Sequence, residues 1–130
     1  MDADELRSIP LFAALSKKER ETVARYADEV EMPAGKRLTG EGEFAYEFFV
    51  LVEGRVEVTH DGQVLAELGP HDFFGEIGLI QSGRRTATVV TTTPVKLIVM
   101  FGPHFRHFER ELPAFAQQIR DAMAARLERA

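Results

Sequence analysis

Cysteine is absent from the 130 residues, which excludes disulfides, a thiol nucleophile and any cysteine-ligated metal centre. No apolar run reaches the roughly 18 residues that would cross a bilayer. The acidic start Met1-Asp2-Ala3-Asp4-Glu5 lacks the positive charge and apolar stretch of a secretory signal. The expectation is a soluble, cytoplasmic protein with no membrane partner. Basic residues are in the minority, 16 Lys and Arg against 21 Asp and Glu, for a formal charge of −5. That balance argues against nonspecific binding to DNA, whose affinity rests on phosphate neutralisation by Lys and Arg. A small anion is still permitted, because one local site needs few donors and salt attenuates the remaining field over about 10 Å. Linkers, internal repeats and low-complexity segments are also missing. What remains is one domain with one core, at 45% apolar residues.

Three zones follow one another. Residues 1–27 carry Leu6, Ile9, Leu11, Phe12, Leu15, Val23 and Tyr26 at helical spacing, and Ser16 with Glu19 forms a capping-box pattern. Two short helices are expected, the second over Lys17–Ala27. Residues 28–101 read as strands: Glu29–Met32, Arg37–Thr39, Glu47–Val52, Arg55–Thr59, Gln63–Leu68, Thr86–Thr92 and Val95–Phe101. Asp61-Gly62 is a two-residue hairpin signal between two of them. Short strands at regular spacing predict an antiparallel barrel or a jelly roll. Residues 102–130 return to a helical period, Phe105 and Phe108 first, then Leu112, Phe115, Ile119, Met123 and Leu127. Pro103 and Pro113 suit first helical turns, and Gln117, Gln118, Arg120, Asp121 and Glu128 mark the wetter side of the last helix.

Chemistry concentrates in residues 74–89, Phe74-Gly75-Glu76-Ile77-Gly78-Leu79-Ile80-Gln81-Ser82-Gly83-Arg84-Arg85-Thr86-Ala87-Thr88-Val89. A short helical turn beginning near Glu76 would leave backbone N–H groups free for an anion. Gly75 and Gly78 would admit a ligand close to the backbone. Arg85 can give a phosphate two parallel charge-assisted bonds, and Glu76 can accept from a hydroxyl. On spacing alone, a surface turn with solvated charges accounts for the same residues equally well.

The stretch resembles the phosphate-binding cassette of the cyclic nucleotide-binding domain family: Phe-Gly-Glu, a small residue and Leu in Phe74 to Leu79, then Arg, a small residue, Ala and Val in Arg85 to Val89. The likeness extends outward to Leu6–Phe12, to Phe48–Val58 and to the last two helices. It implies a mainly β fold with flanking helices, an antiparallel jelly roll with N-terminal helices and C-terminal B and C helices. It implies cAMP or cGMP as the ligand, with no other cofactor, no metal and no catalysis. By the same resemblance Glu76 takes the ribose 2′-hydroxyl and Arg85 the cyclic phosphate. The backbone at Gly75, Ile77, Gly78 and Thr86 completes the cradle, and Arg84 is a bystander. Phe74, Leu79 and Ala87 belong to the motif as further candidates. Thr86 keeps cGMP open without selecting it. His71 stands where the family often has a second Gly, a departure that matters if the position needs φ > 0.

The family's last helix closes over the base, which makes Ile119 and Met123 candidates for the cap, and in dimeric members that helix packs on its twin. His104 and His107 lie three apart without a third ligand and are expected to be packed or solvated. His60 and His71 are expected at surface turns. Lys17-Lys18-Glu19-Arg20 reads as a solvated helical face, and DNA recognition would need a helix beyond Ala130. The expected function is a sensor that signals through its C-terminal helix to an unknown protein effector, a twin or a parent chain. Its rivals are a degenerate member serving as an interaction module, and a regulatory fragment of a transcription factor, channel or enzyme.

Overall fold

A computed structural model describes residues 2–40, 42, 47–75 and 87–129, without the side chains of 101, 102, 122, 123 and 125–129. The chain opens with a 3-10 helix, Ala3–Ser8, whose first turn is capped where Asp2 Oδ1 accepts the Asp4 N–H at 2.9 Å. Helices α1 (Pro10–Ala13) and α2 (Lys17–Tyr26) follow. There are thus three helical pieces where two were expected. Ile9 is extended, at φ −98° and ψ 118°, as the residue before a proline prefers, so the helix restarts at Pro10. The capping box forms as expected: Ser16 Oγ accepts the Glu19 N–H at 3.1 Å, and Glu19 Oε1 accepts the Ser16 N–H at 2.8 Å.

The strands are β1 (Asp28–Met32), β2 (Arg37–Thr39), β3 (Glu47–Glu53), β4 (Val56–His60), β5 (Gln63–Leu68), β6 (Phe73–Phe74), β7 (Thr88–Thr91) and β8 (Val95–Phe101). They form two four-stranded sheets, ordered β1-β8-β3-β6 and β2-β7-β4-β5, and every pairing is antiparallel. Asp61 and Gly62 join β4 to β5 with φ of 50° and 76°, the paired positive values of a type I′ hairpin. Arg55 falls just outside its expected strand, because Gly54 at φ 92° turns the chain there. The two-residue β6 was not expected from the sequence as a strand.

The central strands of the first sheet, β3 and β8, are buried on both faces, which explains their unbroken apolar runs. Phe48, Val50, Ile98 and Met100 point outward into a cluster with Leu6, Phe12, Val23, Phe108, Phe115 and Ile119 of the helices. The alternate residues Phe49, Leu51, Leu97 and Val99 point inward and meet Val56, Phe74, Val89 and Val95 between the sheets. The second sheet covers that interior from the other side; β7 alternates between half-buried and buried residues, whereas Val64 and Leu65 of β5 are exposed.

Helices α3 (Gly102–Glu111) and α4 (Pro113–Arg129) close the chain. Pro103 and Pro113 lie in their first turns, as expected. Leu112 interrupts them because it precedes a proline, yet its N–H donates to Phe108 O at 2.7 Å and its carbonyl accepts from Ala116 at 3.1 Å. Phe115 locks α4 to the rest, with ring centroids 5.5 Å from both Phe12 and Phe108. Arg120 reaches back over the break to Glu109 at 2.5 Å.

Candidate functional site

Strand β6 is an edge of the first sheet and β7 an inner strand of the second, so the described chain on either side of residues 76–86 belongs to different sheets. Glu76, Ile77, Gly78, Leu79, Arg84, Arg85 and Thr86 lie outside the described residues, as does the Met123 side chain. The described residues on either side of 76–86, up to Gly75 and from Ala87, form two anchors.

The first anchor is built from the turn Gly69–Asp72 and β6. Asp72 Oδ2 accepts the Gly69 N–H at 2.9 Å, and the Asp72 N–H donates to Gly69 O at 3.1 Å. Two backbone bonds tie this turn to β3: Leu51 N–H to Asp72 O at 2.8 Å, and His71 N–H to Leu51 O at 2.6 Å. His71 has φ 78°, so the position does require the left-handed conformation that the departure from Gly put at issue. The imidazole itself is exposed. Phe74 is 3% exposed and lies parallel to Phe49, centroids 4.8 Å apart at 12°. Gly75 then turns at φ 92°, where a side chain would be strained. Phe74 is therefore a buried support, and Gly75 is the point where the backbone changes direction.

The second anchor is Ala87, half-buried, whose carbonyl accepts from Thr39 Oγ1 at 3.1 Å. Thr39 is itself buried, so this bond fixes the start of β7 from β2. Thr88 opens β7 opposite Thr59 of β4.

Ile119 is placed elsewhere. It is 1% exposed in the helical cluster with Phe12, Phe108 and Phe115, so in this arrangement its side chain is turned to the N-terminal helices and is not offered to a base. His104 and His107 pack on the ring of Tyr26, at centroid distances of 4.7 and 4.9 Å. Among the described residues no three potential ligands gather around a metal.

Strong charge coupling occurs at the other edge of the first sheet. Lys96 Nζ meets Glu29 Oε1 at 2.8 Å, which holds the Glu29 carboxyl below its ordinary range and raises the lysine. Glu5 shares a hydrogen bond with Glu29, and the adjoining negative charge pushes its own carboxyl upward. A shallow cleft of about 420 Å³ lies at that same edge, lined by Glu31, Met32, Pro33, Glu53, Pro94, Val95 and Lys96. Two carboxylates on its wall suit no phosphate, and β1 and β6 are opposite edges of one sheet. This cleft is not the anion site read from the sequence.

Two packed antiparallel sheets, with helices over one of them, define a jelly-roll domain with flanking helices. The sequence model of the family described as "Cyclic nucleotide-binding domain" matches residues 29–111, and the chain belongs to that family. It is 29% identical over 130 residues to the cyclic AMP receptor protein of Thermus thermophilus, covering 96% of this chain and 60% of that protein. It is 36% identical over 114 residues to a cyclic nucleotide-gated potassium channel of Rhizobium etli, covering 87% of this chain and 32% of that one. The crystal structure of the Thermus thermophilus catabolite activator protein superposes with a TM-score of 0.81 at 30% identity, over 92% of this chain and 59% of that one. The chain spans less than two thirds of the length of these relatives. No helix among the described residues is long and apolar enough to cross a membrane.

Proposed function

We propose that this domain is a cytoplasmic receptor for a cyclic nucleotide, with cAMP the preferred ligand and cGMP the comparison. Family membership over residues 29–111 supports the ligand class, and the name of the Thermus thermophilus relative supports cAMP. The observation that carries the reading is the anchor at Phe74 and Gly75. A buried aromatic followed by a glycine at φ 92° starts the motif at a fixed point of the sheet, directly before Glu76. In this reading Glu76 accepts from the ribose 2′-hydroxyl and Arg85 gives paired bonds to the cyclic phosphate. The backbone N–H groups of Gly75, Ile77, Gly78 and Thr86 surround the remaining oxygens. The domain has a regulatory role and catalyses no step.

Occupancy is converted to output by a shift of the terminal helices, relayed to a protein effector, to a twin through α4 or to further domains of a longer chain. A ligand moves such an equilibrium only by its preference for one arrangement. A 100-fold preference corresponds to about 2.7 kcal/mol.

Calorimetric titration with cAMP, cGMP and linear 5′-AMP tests the ligand assignment. The expected result is saturable binding of the cyclic forms and weak binding of the linear one. Arg85→Ala is expected to weaken cyclic nucleotide binding by about 2–4 kcal/mol, since it removes charge-assisted bonds to a partly buried phosphate. Unchanged affinity in that variant would remove Arg85 from the site.

A further inference from the structure

Strand β6 has two residues and, among the described residues, lies at a sheet edge and pairs with β3, through Phe49↔Phe74 and Val50↔Phe73. So short a ladder has little holding power of its own, because each cross-strand pair contributes modestly. Its position is fixed by side chains on both faces. On the inner face Phe74 stacks on Phe49 between the sheets. On the outer face Phe73 packs against the helical cluster, its ring 5.7 Å from Phe48. The four rings thus hold a dipeptide from above and below. The backbone bonds of Leu51 with His71 and Asp72 prevent it from sliding along β3.

This grip ends one residue before the carboxylate assigned to the 2′-hydroxyl. Consecutive Cα atoms are about 3.8 Å apart, so a displacement of Phe74 is passed along the backbone to residue 76 through the single residue Gly75. A hydrogen bond tolerates only a few tenths of an ångström before it weakens. From this we infer that the Phe49–Phe74 stack is a positioning element for ribose recognition: it touches no ligand, and sets where the 2′-hydroxyl acceptor begins. The inference rests on the assignment of Glu76 in the preceding section.

Calorimetric titration of Phe74→Leu and Phe49→Leu in the intact chain, each with cAMP and with 2′-deoxy-cAMP, tests it. The two variants remove the same stack from opposite strands, so a folding defect in one leaves the other as the test, and circular dichroism melts verify folding. In both variants cAMP affinity is expected to fall about tenfold, equivalent to about 1.4 kcal/mol. Affinity for the deoxy ligand should change by less than about twofold, since it lacks the hydroxyl whose geometry is disturbed. A parallel loss for both ligands would overturn the inference, because a merely structural role weakens them alike. Unchanged cAMP affinity in both variants would overturn it as well. The underlying assignment fails separately, on the unmodified chain: equal binding of cAMP and 2′-deoxy-cAMP removes Glu76 from ribose recognition, and binding of neither removes the receptor reading.

Discussion

Replacing Gly54 by alanine tests how the second sheet is turned away from the first. Gly54 sits at φ 92° between β3 and β4, and a methyl group there would run into the Pro94 carbonyl and come within 2.8 Å of both Thr93 Oγ1 and Val95 Cγ1. The left-handed conformation alone costs a non-glycine residue about 1–2 kcal/mol. The steric conflict cannot be relieved by rotating a side chain, since a backbone carbonyl is in the way. The segment Thr93–Val95 must shift; it carries the bond Arg55 N–H to Thr93 Oγ1 at 2.9 Å and adjoins that of Thr92 N–H to Arg55 O at 3.0 Å. Overpacking of this kind adds about 1–3 kcal/mol. The expected total is about 2–5 kcal/mol.

Gly35 supplies the control. It has φ 79° but nothing within 4 Å of an added methyl group, so Gly35→Ala bears the conformational cost without the collision. The entropy that alanine removes from the unfolded chain is common to both variants and cancels in their difference. Urea denaturation followed by circular dichroism suits a chain without tryptophan. Gly54→Ala should be less stable than Gly35→Ala by about 1–3 kcal/mol at unchanged m-value. Equal losses would show that the β3–β4 turn yields without cost, and the steric account would be wrong.

Two further changes probe other parts of the frame. Thr91 is 1% exposed, and its hydroxyl donates to Pro33 O at 2.7 Å while accepting the Lys36 N–H at 2.8 Å. Thr91→Val should therefore cost about 2–4 kcal/mol by leaving two backbone groups unpaired, with Thr91→Ser recovering most of it, as read by urea unfolding. Glu5 is raised above its ordinary 4.5 by its hydrogen bond to Glu29 and by that neighbour's charge. Its protonated form therefore stabilises the fold, fully so below pH 4.5, and that contribution is lost as pH rises through the raised value. Glu5→Gln, which keeps a donor without the charge, should raise the melting temperature at pH 7 relative to wild type, with the gap closing as pH falls below 4.5. A gap that widens toward acid would refute the coupling. Glu29 is shifted the opposite way by Lys96, so its own contribution is present above 4.5 and fades below it in both proteins.

Much of the fold was legible because local signals and burial agreed. Ser16 with Glu19 marked a helix start from side-chain bonding alone, and Asp61-Gly62 marked a hairpin because few other pairs accept two positive φ values. The unbroken apolar runs of β3 and β8 marked strands, although only the helices on the outer face explain why both faces are apolar. Strand β6 was illegible for the converse reason: two residues have no period, and Phe73-Phe74 is a strand only because β3 and two rings, Phe48 and Phe49, wait beside it. At the candidate site, the motif was legible as a set of residue types. The supports Phe49, Thr39 and Leu51 were not, since nothing in their local sequence ties them to a segment tens of residues away.

Ile119 shows where periodicity stops being informative. The stripe Phe115, Ile119, Met123 identifies an apolar face without saying what covers it, and the N-terminal helices cover its first two members. That coverage bounds how α4 can move. Uncovering two large apolar side chains costs roughly 3–6 kcal/mol, more than the roughly 2.7 kcal/mol supplied by a 100-fold ligand preference. In the proposed mechanism a ligand with that preference does not by itself peel the first turns of α4 from Phe12 and Phe108. The proposed shift then carries those turns together with the N-terminal helices as one body, with the bending at their junctions with the first sheet, or beyond Ile119.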